Sequence, residues 1–341
     1  MKKTLIVAAV LSTIAGAAAA QSSVTLFGVV DVNARYVKNG DTKSKQLGTD
    51  GLNSSRLGFR GTEDLGGGLK ASFWLESAVN PDTGTSNATR FWHRRSTVSL
   101  ETPIGELRLG RDFSPTYTGI SDYDVFSDNG VGSFSKLVST LGTVVDTNTR
   151  ADNQVSYFTP KTLGGFYGRL SVAASEGTLG KKLFGGRVGY ANSALDVSGS
   201  YGTTEVTVAG DKYKVGAIGA SYDFKVVKLL ASVSQRKYLA VKENLYLIGA
   251  GVPIGSSGLF RASFEKANLS GGAAAGTADA DDATLIALGY VHNLSKRTAV
   301  YGTVSRINNK GNQTFVTSAT TPSVPAGGKS TGVEVGLRHS F

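Results

Sequence analysis

Val333-Glu-Val-Gly-Leu-Arg-His-Ser-Phe341 decides how the rest of this 341-residue chain is read. Val333, Val335, Leu337, His339 and Phe341 fall on one side, and Glu334, Gly336, Arg338 and Ser340 on the other. A period of two is the mark of a strand with one apolar and one polar face. The strand runs to an aromatic last residue, for which a soluble sheet has no physical need. A barrel in a membrane has one, because its last strand closes against the first with an aromatic ring at the membrane interface.

Working outward, the same alternation recurs along the chain. Leu57 and Phe59 oppose Arg56, Gly58 and Arg60; Ala71, Phe73 and Leu75 oppose Lys70, Ser72, Trp74 and Glu76. Val98 and Leu100 oppose Arg95, Thr97 and Ser99, and Phe260, Ala262 and Phe264 oppose Arg261, Ser263 and Glu265. The polar faces carry many long charged side chains, which suits a wet lumen inside and lipid outside. Segments near 242–253 and 283–293 are apolar on both faces, so alternation alone does not orient them.

Short turns rich in Gly, Pro and Asn stand at Glu63–Gly68, Thr102–Gly105, Pro160–Gly164, Asn192-Ser193, Asp223–Lys225, Pro253–Ser257 and Asn293–Lys296. Longer polar loops are expected near 37–51, 80–88, 113–148, 176–182, 203–212, 239–241, 268–282 and 308–330. Seven turns and eight loops make fifteen connections, hence sixteen strands. The expected fold is therefore all-β: a sixteen-stranded antiparallel transmembrane barrel with short turns at one end and long loops at the other.

Composition agrees. Of the 341 residues 44 are glycine, about double the usual share, and glycine disfavours helix interiors. Cysteine is absent, which rules out disulfides and thiolate metal sites. Lys2 and Lys3, the apolar run Leu5–Ala15 and the small residues Ala18–Ala20 read as a secretory signal peptide over residues 1–20, cleaved before Gln21. The barrel then occupies 21–341. A net charge of +10 and a pI near 9.6 invite a nucleic-acid reading, but no Lys/Arg run exceeds two residues and no binding motif is present. His93, His292 and His339 lie at no metal-ligand spacing. Gly327-Gly-Lys-Ser330 resembles the end of a phosphate-binding loop, but Ser323 replaces its first glycine and a strand follows it. No cofactor is expected.

Several stretches, in order, resemble the trimeric general porins of Gram-negative bacteria, and most of all their β-proteobacterial anion-selective group. They are Ser23–Asp31, Ser55-Arg-Leu-Gly-Phe-Arg-Gly-Thr-Glu-Asp-Leu-Gly-Gly-Gly-Leu-Lys70, Gly105–Arg111, Leu288-Gly-Tyr-Val-His-Asn-Leu-Ser-Lys-Arg-Thr-Ala299 and Gly336–Phe341. The resemblance implies an outer-membrane homotrimer, surrounded by outer-membrane lipid, that passes small hydrophilic solutes and anions by diffusion. It implies that Phe341 belongs to the assembly signal and that the third loop, about 113–148, folds into the barrel. Parity turns Arg56, Arg95 and Arg150 toward the lumen and Arg94 outward or to the rim. The resemblance implies that those three arginines form the cationic constriction, where permanently charged guanidinium groups prefer anions. Asp122 and Asp124 are the loop acids expected to face them. Two other readings are a substrate-specific channel for phosphate or an organic anion, and an outer-membrane hydrolase, for which His93 near Ser96 lacks an orienting third group.

Overall fold

The computed structural model of the chain describes residues 23–271, 281–318 and 323–341. The expected signal peptide lies outside them, as do parts of the loops expected near 268–282 and 308–330.

Sixteen antiparallel strands form a closed barrel: β1 Ser23–Asn39, β2 in two segments, Thr42–Thr49 and Arg56–Gly66, β3 Leu69–Asn80, β4 Arg95–Thr102, β5 Gly105–Phe113, β6 Arg150–Phe158, β7 Phe166–Ala173 and β8 Leu183–Ala191. The wall continues with β9 Leu195–Glu205, β10 Lys212–Asp223, β11 Lys228–Tyr238, β12 Val241–Ile254, β13 Gly258–Ser270, β14 Asp282–Asn293, β15 Thr298–Asn309 and β16 Lys329–Ser340. Thr85–Ser86 is a two-residue arm that pairs only with the end of β3. β1 closes on β16, with Val29 opposite Ser340 and Asn39 opposite Ser330. Closure leaves no strand edge facing lipid, where an unpaired backbone group is costly.

At the seam Phe341 exchanges two backbone hydrogen bonds of 3.1 Å with Gly28. The Phe341 ring lies where a Cβ on residue 28 would stand, so glycine is required there. Val335 and Leu337 face outward, 63% and 51% exposed, whereas Glu334, on the inner face, is 1% exposed.

The connection expected as a loop at 37–51 is different. β1 and β2 extend to a tight turn at Gly40-Asp41, and the irregular stretch is 50–55, inside β2. Its cause is Asp31, whose carboxylate accepts the N–H groups of Gly51, Leu52 and Asn53 at 3.2, 2.9 and 2.8 Å. A carboxylate satisfying three consecutive amides replaces the ladder bonds that the strand gives up. Leu52 packs against Val291, Ala299 and Tyr301.

The main apolar core sits inside the barrel. Ile120, Phe126, Phe134 and Leu137 of the 113–149 segment pack onto Tyr213, Val215, Leu245, Leu247, Leu285 and Ile307 of the inner wall. That settles the two segments with no readable orientation. β12 and β14 are apolar outside because they meet lipid, and apolar inside because the loop covers them.

Candidate pore constriction

The segment between β5 and β6 leaves the wall at Ser114, whose amide bonds to Thr149 O at 3.0 Å and closes the neck. Helix α1, Pro115–Ser121, follows, with Ser114 as its N-cap accepting from the Tyr117 amide at 3.3 Å. Proline at the first helical position costs nothing, because that N–H has no helical partner. Two 3-10 turns, Gly130–Gly132 and Phe134–Leu137, carry the chain across the lumen. α1 lies on β8–β10 and the 3-10 turns lie on β13–β16.

Side chains of the wall hold this loop by its backbone at three points and by the Tyr123 side chain at a fourth. Glu334 accepts from the Val131 amide at 3.2 Å and Glu243 from the Ser139 amide at 2.9 Å. Ser305 Oγ donates to Val131 O at 2.6 Å, and Tyr123 Oη donates to Asp196 at 2.8 Å. Gly130, at φ +67°, takes a left-handed turn against the Glu334 carboxylate, where a side chain would collide.

The opposite wall is lined with guanidinium groups. Arg56 and Arg94 share Glu76, at 3.5 and 2.6 Å. Arg95 lies over the Trp74 ring at 4.6 Å and reaches Asp112 at 4.0 Å, and Arg108 binds the same Asp112 at 2.7 Å. Asp152 serves Arg111 at 2.6 Å, Arg90 at 2.9 Å and Lys181 at 3.6 Å. Glu106, 2.8 Å from Arg108, and Asp146, 3.9 Å from Arg90, bring the carboxylates to five against seven cations. Arg150 forms no ion pair among the described residues, and its Nε has no hydrogen-bond partner; it covers the Phe113 ring at 4.1 Å, and that ring stacks on Tyr117.

Arg94 and the inward-facing Arg56 bind the same buried carboxylate, Glu76, so Arg94 belongs to the lumen and not to the outer rim. Alternation misplaces it because β4 begins only at Arg95. The chain before it turns inward, with the Arg94 amide on Glu76 O at 3.1 Å. His93, in the same loop, is held neutral: its pKa is pushed down to about 4 by burial, then by Arg94, Arg150 and Arg111.

The two aspartates part company. Asp122 is half-exposed in the lumen and binds Arg187 of β8 at 2.5 Å, not the Arg56–Arg150 group. Asp124 is 2% exposed and turned into its own loop, where it accepts from the amides of Phe126, Asp128 and Phe134 at 2.8, 2.9 and 3.3 Å. It is therefore a tie for the loop and not a pore-facing acid. Burial pushes its pKa up to about 6 despite those donors.

Arg108, Arg169 and Arg187 join the lumen lining without having been singled out from the sequence. The signal for them is present, since each follows or precedes exposed apolar residues such as Leu107, Leu170 and Val188. Arg111 is hidden by a bulge at Gly110, φ +119°, which shifts the register before Asp112.

The family model described as Gram-negative porin matches residues 7–312. The chain is 42% identical to outer membrane porin protein 32 of Delftia acidovorans and 31% identical to an outer membrane porin protein of Bordetella pertussis, each alignment covering all of both chains. Among solved structures it is similar to the anion-selective porin from Comamonas acidovorans, with TM-score 0.85 and 39% identity over 94% of this chain and all of that one. The trimer form of OmpT from Vibrio cholerae shares the fold alone, at TM-score 0.67 and 16% identity over 94% of this chain and 99% of that one. A closed sixteen-stranded barrel, a loop folded into its lumen and these matches together place the chain in the Gram-negative porin family: it is an outer-membrane porin, a passive channel and not an enzyme.

Proposed function

We propose that this porin prefers anions and that Arg56, Arg95 and Arg150, with Arg94, set the preference at its narrowest level. The observation that carries the reading is where the acids are. Glu243, Glu265 and Glu334, each 1% exposed or less, lie beneath the inserted loop, while the arginine wall keeps more cations than carboxylates. A permeating ion meets the uncovered charges, and at ~5 Å from one guanidinium the attraction is about 3 kcal/mol at an effective dielectric of 20. Salt in a wet pore lowers it, because the Debye length is about 8 Å at physiological ionic strength. Allowing about 1 kcal/mol per charge, each removal changes the anion preference about fivefold.

Arg→Ala at positions 56, 95 and 150 together is expected to abolish or invert the zero-current potential across a salt gradient, more strongly at low salt. A triple variant with the parent's potential refutes the assignment.

The assembly we propose is a homotrimer packed through the β2–β3 side. There Phe59, Trp92 and Phe91 form an edge-to-face aromatic chain outside the wall, with Phe91 61% exposed. Exposed apolar clusters of this kind mark interfaces.

A further inference from the structure

Arg169 of β7 and Arg187 of β8 stand directly opposite each other on the lumen face of the wall. Like charges so placed repel, and only one of the two is neutralised. Arg187 binds Asp122 at 2.5 Å, whereas Arg169 forms no ion pair among the described residues. Its Nε donates to Ser171 at 2.9 Å, and its Nη2 reaches Phe113 O, Gln154 and Ser156 at 2.6, 3.0 and 3.3 Å. All four acceptors are uncharged, and Nη1 makes none of the described hydrogen bonds.

The same guanidinium lies over the Phe158 ring, 4.9 Å from its centre, and Arg108 lies over that ring at 4.2 Å. Phe158 is the partner of Arg169 in the register of β6 and β7, which puts the two side chains on one face. Attraction between cation and ring adds to the four oxygen acceptors in holding the Arg169 plane. Its Nη1 is then the donor left for a solute. Arg108 has none to spare, because Glu106 takes its Nε and Nη2 at 2.8 Å and Asp112 its Nη1 at 2.7 Å.

Arg169 and Phe158 line a cavity of about 690 Å³ between the inserted loop and the short-turn end, within the size range of small-molecule sites. Thr118 and Asp122 border it from the loop, and Lys161 borders it from the turn after β6. Glu106, Asp112 and Asp122 at its edge are already bound to arginines, and Glu101 stands opposite Lys70 in the strand register. Lys161 forms no ion pair among the described residues. The positive charge left over therefore belongs to Arg169 and Lys161, and it sits beside the rings of Phe158 and Tyr167.

Resting on the reading that this lumen accepts anions, we infer that the cavity binds aryl carboxylates: Arg169 Nη1 takes the carboxylate, and the solute's ring packs edge-to-face with Phe158. Guanidinium groups lie over the Phe158 ring, so its hydrogen-bearing edge is the part left to a solute. An edge turned to the face of a second ring is a preferred aromatic arrangement. A chloride or phosphate ion uses the N–H groups alone. A saturated ring acid of the same charge and similar size uses them and buries apolar surface, but brings no π face to the Phe158 edge.

The test uses the full chain in planar bilayers carrying a chloride current. Benzoate or cyclohexanecarboxylate is added, and block of that current is read as a dissociation constant. Benzoate is expected to bind about fivefold more tightly than the saturated acid. Arg169→Gln is expected to weaken both by about tenfold. Phe158→Leu, which keeps an apolar side chain without a ring, is expected to bring the two acids to equal affinity. Phe166→Leu removes an exposed ring from the outer face of β7 and is expected to change neither. Equal block of the parent by the two acids overturns the inference, whatever the variants do. So does a Phe158→Leu channel that keeps the benzoate advantage, or a Phe166→Leu channel that loses it. The zero-current potential in chloride is read on the same channels. A parent that prefers chloride over its cation but does not favour benzoate refutes this site and leaves the constriction assignment standing.

Discussion

The two halves of the lumen wall have similar chemistry in the sequence and opposite roles in the structure. β11–β16 contribute Glu243, Glu265 and Glu334 against Arg236 and Arg261, and all five are buried by the inserted loop. β2–β8 contribute the arginines, and there Arg56 and Arg95 keep about a quarter of their side-chain surface open. The effective charge of a pore is therefore set as much by what the loop covers as by the residues the strands supply. Burial has a second effect on the covered side, because an acid tied to backbone amides fixes the loop that hides it.

Removing the cover tests this most strongly. Excising residues 123–137 and bridging the gap with a short glycine linker exposes Glu243, Glu265 and Glu334 to the lumen. Single-channel conductance is expected to rise several-fold and anion preference to fall toward unity. Retention of full preference in the excised channel would break the contrast between the walls.

A smaller effect is expected from the uncovered side. Glu76→Gln removes the carboxylate that Arg56 and Arg94 share, and anion preference should then rise by about fivefold, the reverse of the arginine variants. The zero-current potential gives both sign and size.

The buried side should respond to pH through Asp124. Its pKa is raised from 3.8 to about 6 in the folded loop, so its contribution to stability is fully present below about 4 and is lost as pH rises through 6. Acidification from pH 7.5 to 5 is thus expected to protect residues 113–149 from protease, and Asp124→Asn to flatten that dependence. The least change is expected from His93. Held near 4, it stays neutral from pH 8 to 5.5, and His93→Gln should leave the potential's pH profile in that range unmoved.

Legibility followed regular backbone. Strand number, most turns and the outward face of β16 were readable because alternation is a local signal. The covered inner face of β12 and β14 was not readable, because what buries Leu245 and Leu285 lies more than a hundred residues away in sequence. Arg56 and Arg95 could be placed by parity, whereas Arg94 and Arg111 could not. One precedes its strand and the other follows a bulge, and at such points a period of two no longer holds. Asp124 failed for a different reason. An acid on a pore loop can face either water or its own backbone amides, and composition carries no preference between the two.

The seam between β1 and β16 has a kinetic consequence. Arg35 and Glu334, which meet across it at 2.9 Å, are separated by 299 residues of chain. The pairing that closes the barrel is thus the most non-local one available, and non-local pairings make for slow folding. Until it forms, the edges of β1 and β16 are open templates for any other strand, including those of a second copy. Rapid meeting of the two terminal strands therefore protects this protein against aggregation, and the interval before it is when the chain most needs to be kept apart from its neighbours.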